Sequence, residues 1–409
     1  MSSIVSEGAV IGRRRLLRGA AGLGGASLLG LGGCVTASGR LAVGAPFHDP
    51  VPPLAPIRAH ADRVFDITVC TRPFRAQGPR LDTETIGDAL IVHNYGHGGS
   101  GWSLSWGSST IAVQKAMAAS PREIAVVGCG ALGLTSAILA QRAGARVTIY
   151  ARDLFPQVRS ARATGSWTPD SRIALESAAG PAFGPLWEQM ARTSWKTYRD
   201  YLGLPGAPVV FNDRYGLRSQ APSSPAPPAA PGALDFAEYH RTYAQEIRTV
   251  AELMPPGSTP FDWPEVYRSS EMMFNLRSYG HLLMTDFLTA GGQFVRTEFH
   301  EPAELARLKE KVVINCPGYA ARQWWKDQSV VPVRGQIGWL IPQPEVNYGL
   351  QYGGVSILSR TDGIVVQALD GGDMKGYGDD TETPDRGETL TALAKVERLF
   401  ETGFKTRRP

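Results

Sequence analysis

The sequence predicts an α/β fold centred on a doubly wound, largely parallel sheet, and two observations predict it. Glu123 to Asp153 reads EIAVVGCGALGLTSAILAQRAGARVTIYARD. An apolar β-branched run, a glycine-punctuated turn, an apolar helix and a second apolar strand follow one another there as a single unit. The chain of 409 residues is 43% hydrophobic and 20% charged. That is enough to bury a sizeable core and, at ordinary domain sizes, to build two or three domains.

Residues 1–33 are expected to be an export signal. Arg13-Arg14-Arg15-Leu16-Leu17-Arg18 precedes an apolar, glycine-rich run from Gly19 to Gly33, the pattern of a twin-arginine leader. The run is shorter than the roughly 18 to 20 apolar residues that span a bilayer. It ends in Leu31-Gly32-Gly33-Cys34, which resembles a bacterial lipobox with Cys34 as the acylated residue. The expected destination is therefore the periplasm or cell surface, with membrane attachment through a lipid on Cys34; a basic, disordered leader is the alternative. The chain carries a formal charge of +4, and without the first 33 residues, which hold four arginines and one glutamate, the excess is a single positive charge. So small a surplus argues against a nucleic-acid partner.

A proline-rich connector occupies residues 34–61 and includes GAPFHDPVPPLAP, Gly44 to Pro56, which favours an extended tether. The folded body is expected to begin near Asp62. Residues 62–122 then hold TRPFRAQGPRL, Thr71 to Leu81, a strand around Arg63 to Val69, and IVHNYGHGGSGWSLSWGSS, Ile91 to Ser109. Glycine enters left-handed turns cheaply, but the histidines and tryptophans between these glycines ask for more than a turn. Ser109 to Ser120 has helical spacing and leads through Pro121-Arg122 into the next strand.

Ile124 to Val127 suits a buried parallel strand. Gly128-x-Gly130-x-x-Gly133 then opens a helix that runs to about Arg142, and Arg146 to Tyr150 forms the second strand. In such a unit the first glycine permits the tight turn, the second lets the backbone approach a pyrophosphate, and the third lets helix and strand pack closely. The helix N-terminus faces the phosphates, so Gly128, Gly130, Ala131, Leu132 and Gly133 are the expected dinucleotide contacts. At the end of the second strand Arg152 precedes Asp153. Either residue could face the adenosine ribose, and an arginine also suits the 2′-phosphate of NADP, so the fingerprint alone leaves FAD, NAD and NADP open.

Further along, APSSPAPPAAPGA from Ala221 to Ala233 is expected as a surface excursion, and Phe211 to Phe236 as loop. Cys70, Cys129 and Cys316 lack the spacing of a disulfide framework or zinc site and read as small core residues, so no metal is expected. A helix is expected around Thr389 to Phe400.

Together, HNYGHGG and the dinucleotide fingerprint closely resemble the D-amino-acid oxidase family of flavoproteins. Other blocks extend the likeness over most of the chain after Asp62. These are IYARDLFPQVRSARATGSWTP, Ile149 to Pro169; VVINCPGYAA, Val312 to Ala321; VRGQIGWL, Val333 to Leu340; and the TRPFRAQGPRL segment. In the family's usual order the fingerprint comes first and the RPxR and HNYGHGG blocks last. Here residues 62–122 precede residue 123, which reads as a circular permutation.

The resemblance implies an FAD-binding domain interleaved with a mixed-sheet substrate domain. Residues 123–180 and 291–330 would form the FAD-binding domain; residues 181–290 and 331–409 would form the substrate domain. It also places Arg159, Ser160, Gly165, Ser166 and Trp167 in a flavin-contacting loop. Gly98, Gly99, Gly101, Trp102 and Ser103 would present backbone N–H groups and a helix N-terminus to the isoalloxazine, Gly99 within the catalytic site. Arg72 would grip a substrate carboxylate with two parallel hydrogen bonds. Tyr352 resembles one of the family's two active-site tyrosines, and at the matching spacing the second falls on Ser356.

The implied reaction is oxidative deamination of D-amino acids. Hydride passes from the α-carbon to flavin N5, giving a 2-oxo acid, ammonia and, with oxygen as partner, hydrogen peroxide. Because the cofactor carries that chemistry, His93 and His97 read as structural. The departure at Ser356 keeps open N-methyl amino acids, glycine or amines as substrates, and a non-catalytic exported flavoprotein is a further alternative.

Overall fold

Residues 53–219, 232–247 and 249–405 are described by the computed structural model. The expected leader, Cys34, most of the proline-rich connector and most of the proline–alanine tract lie outside the described residues. Three strands open the described chain: β1 (Val64–Phe74), β2 (Thr83–Ile86) and β3 (Ala89–His93). Helix α1 (Gly101–Met117) follows, then the fingerprint unit β4 (Glu123–Val127), α2 (Ala131–Arg142) and β5 (Arg146–Ala151). Next come α3 (Glu176–Ala179), α4 (Phe183–Arg199), β6 (Val209–Arg218), α5 (Tyr239–Tyr243), β7 (Glu252–Leu253) and β8 (Glu265–Phe274). Helix α6 (Leu276–Thr289), β9 (Gln293–Arg296), β10 (Val312–Asn315) and α7 (Ala321–Trp324) lead to the hairpin-rich end. That end consists of β11 (Val331–Leu340), β12 (Tyr348–Tyr352), β13 (Val355–Arg360), β14 (Gly363–Ala368) and α8 (Arg386–Thr402).

The six-stranded sheet runs in the order β2-β3-β10-β4-β5-β9, parallel except for the β2–β3 pair. Its strands are continuous apolar runs because both faces are covered. Ile124, Val126, Val147, Ile149 and Ile314 pack with α1, α2 and α6 on one side, while Ala125, Val127 and Val313 pack with Leu305 and Trp324 on the other. Helix α1 has 12 of its 17 residues buried. Small residues let its neighbours close in: a Cβ on Gly107 would collide with the Met190 backbone of α4, and Ser109 Oγ meets Thr135 Oγ1 of α2 at 2.8 Å. The serines and glycines of the Ile91 to Ser109 stretch thus serve helix packing as well as turning.

The eight-stranded mixed sheet has the order β1-β11-β14-β13-β12-β6-β8-β7. One face packs on α8 through Tyr348, Leu350, Val355, Ile357, Ile364 and Val366. The other carries Met273, Ile337, Trp339, Leu358 and Val365 towards the six-stranded sheet. Residues 62–122 feed both layers, β1 pairing antiparallel with β11 and β3 parallel with β10.

Three sequence expectations change. The buried core begins upstream of Asp62, because Ile57 and Ala59 are 2% and 1% exposed in the α8 cluster. The strand expected around Arg63 to Val69 extends to Phe74, held by a ladder to β11 that is continuous from Asp66 after a register shift at its start, and so carries Arg72. Residues 211–218, expected as loop, are strand β6 laddered to β8 along its whole length.

Candidate active site

Between the two sheets runs a cavity of about 850 Å³. At one end stands the β4–α2 turn. Gly128 has φ +96°, a conformation only glycine takes easily, and a Cβ there would strike Cys316 O; a Cβ on Gly133 would strike Gly128 O. The turn therefore hugs both the strand and the helix, and the N-terminus of α2 opens into the cavity with Gly130 as its N-cap. Ser160, from the loop after β5, reaches back to accept from Ala131 N at 3.1 Å.

At the end of β5, Arg152 donates to Asp153 Oδ2 at 2.9 Å and to Glu298 Oε1 at 3.1 Å. Both carboxylates hold its pKa above the ordinary value. A guanidinium already paired with two carboxylates is a poor partner for a 2′-phosphate, and the two acids suit ribose hydroxyls. The NADP option left open by the fingerprint is thereby disfavoured.

The other end is framed by β1 and by the loop into α1. Gly98 N donates to Pro73 O at 2.8 Å and Gly99 N to Ser171 O at 2.9 Å, so those two N–H groups are spent within the protein. The free donors begin at Gly101 and Trp102, in the first turn of α1 at the cavity edge. His97 is 1% exposed, and burial, then the Arg75 charge, push its pKa down to about 3. Ser108 Oγ gives its hydrogen to Asn94 Oδ1 at 2.5 Å, so it accepts from His97 Nε2 at 2.7 Å. That leaves His97 Nδ1, on the cavity wall, as a buried acceptor without a partner among the described residues. His93, bonded to Glu84 Oε1 at 2.7 Å, lines neither this cavity nor a smaller one of about 170 Å³ that also touches Arg72. Its role is structural.

Arg72 is half-buried and lines this end. Its guanidinium crosses Gly335, where a Cβ would strike Nη2, and Nη1 donates a long hydrogen bond of 3.4 Å to Arg334 O. Among the described residues no carboxylate pairs with it, and burial pulls its pKa below the ordinary value. A desolvated cation with spare donors is costly to the fold, so its place at the end of a cavity calls for an anion.

Several expected site residues lie elsewhere. Tyr352 packs edge-on against Trp263 on the α8 face of the sheet. Ser356, across the Gly353-Gly354 turn, points to the opposite face but accepts from Arg214 Nη2 at 2.9 Å and does not line either cavity. Gly165, Ser166 and Trp167 do not line the cavity: Gly165 presses on Phe274 O, Ser166 bridges to Met273, and Trp167 packs on Trp195 and Tyr198. Ser103 turns away to accept from Thr168 N at 2.8 Å. Arg159 does line the cavity, paired with Glu382 at 2.7 Å. Sequence reading missed Thr297 to His300, Gly318 to Ala320, Ile337 and Arg172, which line one of the two cavities. Of these, Gly318 to Ala320 lie within the VVINCPGYAA block and Ile337 within VRGQIGWL, whereas Thr297 to His300 and Arg172 carried no signal.

The glycine cradle, the acidic pair at the end of β5, the helix N-termini at both ends and the orphaned His97 Nδ1 lie along one continuous cleft. Those features fit an extended dinucleotide. The family model described as DAO, FAD dependent oxidoreductase, matches residues 123–408. The chain belongs to this FAD-dependent oxidoreductase family, and its cofactor is FAD. Similar proteins include a D-amino-acid oxidase of Rubrobacter xylanophilus, 29% identical over 52% of this chain and 57% of that one. A D-amino-acid oxidase of Streptomyces coelicolor is 28% identical over 53% of this chain and 58% of its own. The matched regions thus span a little under three-fifths of each relative's length. Among solved structures, glycine oxidase from Geobacillus kaustophilus aligns over 70% of this chain and 81% of its own, with 13% identity and a TM-score of 0.47.

Proposed function

We propose that the protein oxidatively deaminates D-amino acids, converting amino acid, oxygen and water to 2-oxo acid, ammonia and hydrogen peroxide. The observation that carries this reading is Arg72, a half-buried guanidinium with no carboxylate partner among the described residues, at one end of the FAD cleft. FAD, when bound, supplies the acceptor for the hydrogen and electron pair of the substrate's α C–H bond. Gly128 to Gly133 and the N-terminus of α2 would hold its pyrophosphate, with Asp153 and Glu298 on the adenosine ribose.

Arg72 would bind the α-carboxylate with two N–H groups and so orient the α-carbon. The first turn of α1 brings a positive helix end to the same place, which favours negative charge there. His97 stays neutral at working pH and moves no proton. D-Amino acids are favoured over other carboxylate-bearing amines by the names of the similar proteins. The displacement of Tyr352 from the cleft favours a second reading, in which N-methyl amino acids or glycine are the substrates.

The test is to record the visible spectrum of the purified chain and add pooled D-amino acids without oxygen. Bleaching of a flavin band supports the reading. A flavin bleached by sarcosine or glycine but not by the pool would replace it with the second. We also propose export of the folded flavoprotein through the leader expected at residues 1–33; replacing Arg13 and Arg14 by lysine should then retain it in the cytoplasmic fraction.

A further inference from the structure

A second cavity, of about 170 Å³, adjoins the cleft, and Arg72 and Gly335 line both. The larger cavity would take the reacting end of a substrate held on Arg72. The smaller one is where that substrate's side chain would go.

Its walls are strongly basic. Arg72, Arg172, Arg334 and Lys375 stand against Asp379 and Glu388, leaving two positive charges in excess. Arg334 and Lys375 are the paired cations: Arg334 lies 3.9 Å from Asp379 and 3.6 Å from Glu388, and Lys375 lies 2.8 Å from Glu388. Among the lining residues the excess therefore rests on Arg72, which has no ion pair among the described residues, and on Arg172, whose carboxylate partner, Asp373, lies outside the pocket lining.

Arg172 is placed with care. It has φ +49°, which a side-chain-bearing residue rarely adopts, and its carbonyl sits where a Cβ on Gly98 would be. The same loop accepts from Gly99 N at 2.9 Å and from Ser100 Oγ at 3.1 Å through Ser171 O. Arg172 Nε donates to Asp373 O at 2.7 Å and Nη2 to Gly372 O at 3.0 Å, while its ion pair, to the exposed Asp373, is 3.4 Å long. No partner for Nη1 occurs among the described residues. Burial, then the neighbouring Arg72 charge, lower its pKa. Two guanidiniums that repel one another in one pocket are best relieved by a ligand carrying two negative charges.

We infer, resting on the proposed oxidation of amino acids at this site, that Arg172 is the anion-binding residue of the side-chain pocket and that the preferred substrates are short acidic D-amino acids with a second carboxylate.

The test uses the FAD-loaded full chain and two four-carbon acids that cannot be oxidised there, succinate and butyrate, with affinity read from perturbation of the flavin spectrum. Succinate is expected to bind about 10- to 100-fold more tightly, the range of one charged hydrogen-bonded contact. Arg172→Met should erase that preference and leave butyrate affinity unchanged, whereas Arg172→Lys should keep most of it. Equal affinities in the unmodified protein, or a preference that survives Arg172→Met, would overturn the inference, and the unmodified comparison decides the matter if a variant loses its flavin. If D-alanine bleaches the flavin while D-aspartate and D-glutamate do not, the acidic preference fails and the proposed function stands. If no D-amino acid bleaches it and neither acid perturbs it, the proposed function itself fails.

Discussion

Arg72 carries the conflict at the centre of this molecule. A desolvated guanidinium without a carboxylate costs the fold, and it is retained at the junction of two cavities where an anionic ligand would repay it. Arg72→Met should accordingly leave FAD bound and the melting temperature undiminished. It should also lower kcat/KM for the amino acid by about 2–5 kcal/mol of transition-state binding. Unchanged kinetics would remove Arg72 from the site, and a large fall in melting temperature would assign it to the core instead. His97 makes a different kind of prediction. It is neutral in the fold down to about pH 3 against an ordinary value of 6.5, so between those values the unfolded chain binds the extra proton. The stability it supports above pH 6.5 is lost as the pH falls towards 3, by at most ~1.4 kcal/mol per pH unit. Chemical denaturation of His97→Asn across that window should show a shallower decline than the unmodified protein; an identical slope would mean the ring is not held neutral.

At the scale of elements, legibility follows physics. The unit β4–α2–β5 lies within a residue of its sequence reading, because buried parallel strands are unbroken apolar runs and the turn between them needs glycine at fixed places. Gly133→Ala should prevent flavin retention, since its methyl would displace Gly128 O and with it the turn; a variant that purifies yellow with an unchanged spectrum would show that the turn can yield. Strand β6 was not legible. Its run VVFNDRYGLR mixes polar and apolar residues, and its ladder to β8 over the intervening excursion is a tertiary fact. Tyr352 shows why spacing alone could not find the substrate wall. Successive strand residues face opposite sides, and the Gly353-Gly354 turn leaves Tyr352 on the α8 face and Ser356 on the other. Arg172 gave no sign at all, since its role depends on a loop pressed against Gly98.

At the scale of the whole molecule, the order of the blocks remains our proposal of a circular permutation. It is supported by a family match that begins at residue 123, by β1 and β3 entering sheets completed far downstream, and by the closeness of the two ends of the body. His60 Nδ1 lies 2.6 Å from Glu397 Oε1, and Ile57 and Phe404 share one apolar cluster. A chain opened between Ser120 and Pro121 and closed by a short linker from Phe404 to Ile57 should fold, bind FAD and give the same visible spectrum, because the packed elements are unchanged. Failure of that chain to take up flavin, with its parent competent, would count against the permutation.

The two cavities meeting at one guanidinium also separate the walls of the side-chain pocket from those of the flavin cleft. Leu369, Gly372, Lys375 and Gly376, from the segment between β14 and α8, line the smaller chamber and leave the larger one untouched. Substitutions at those four positions, unlike at Asp380 and Glu382 of the same segment, which line the larger cavity, would retune the side-chain pocket while the walls of the flavin cleft stay constant, making them the natural place to diversify a library for biosensor use.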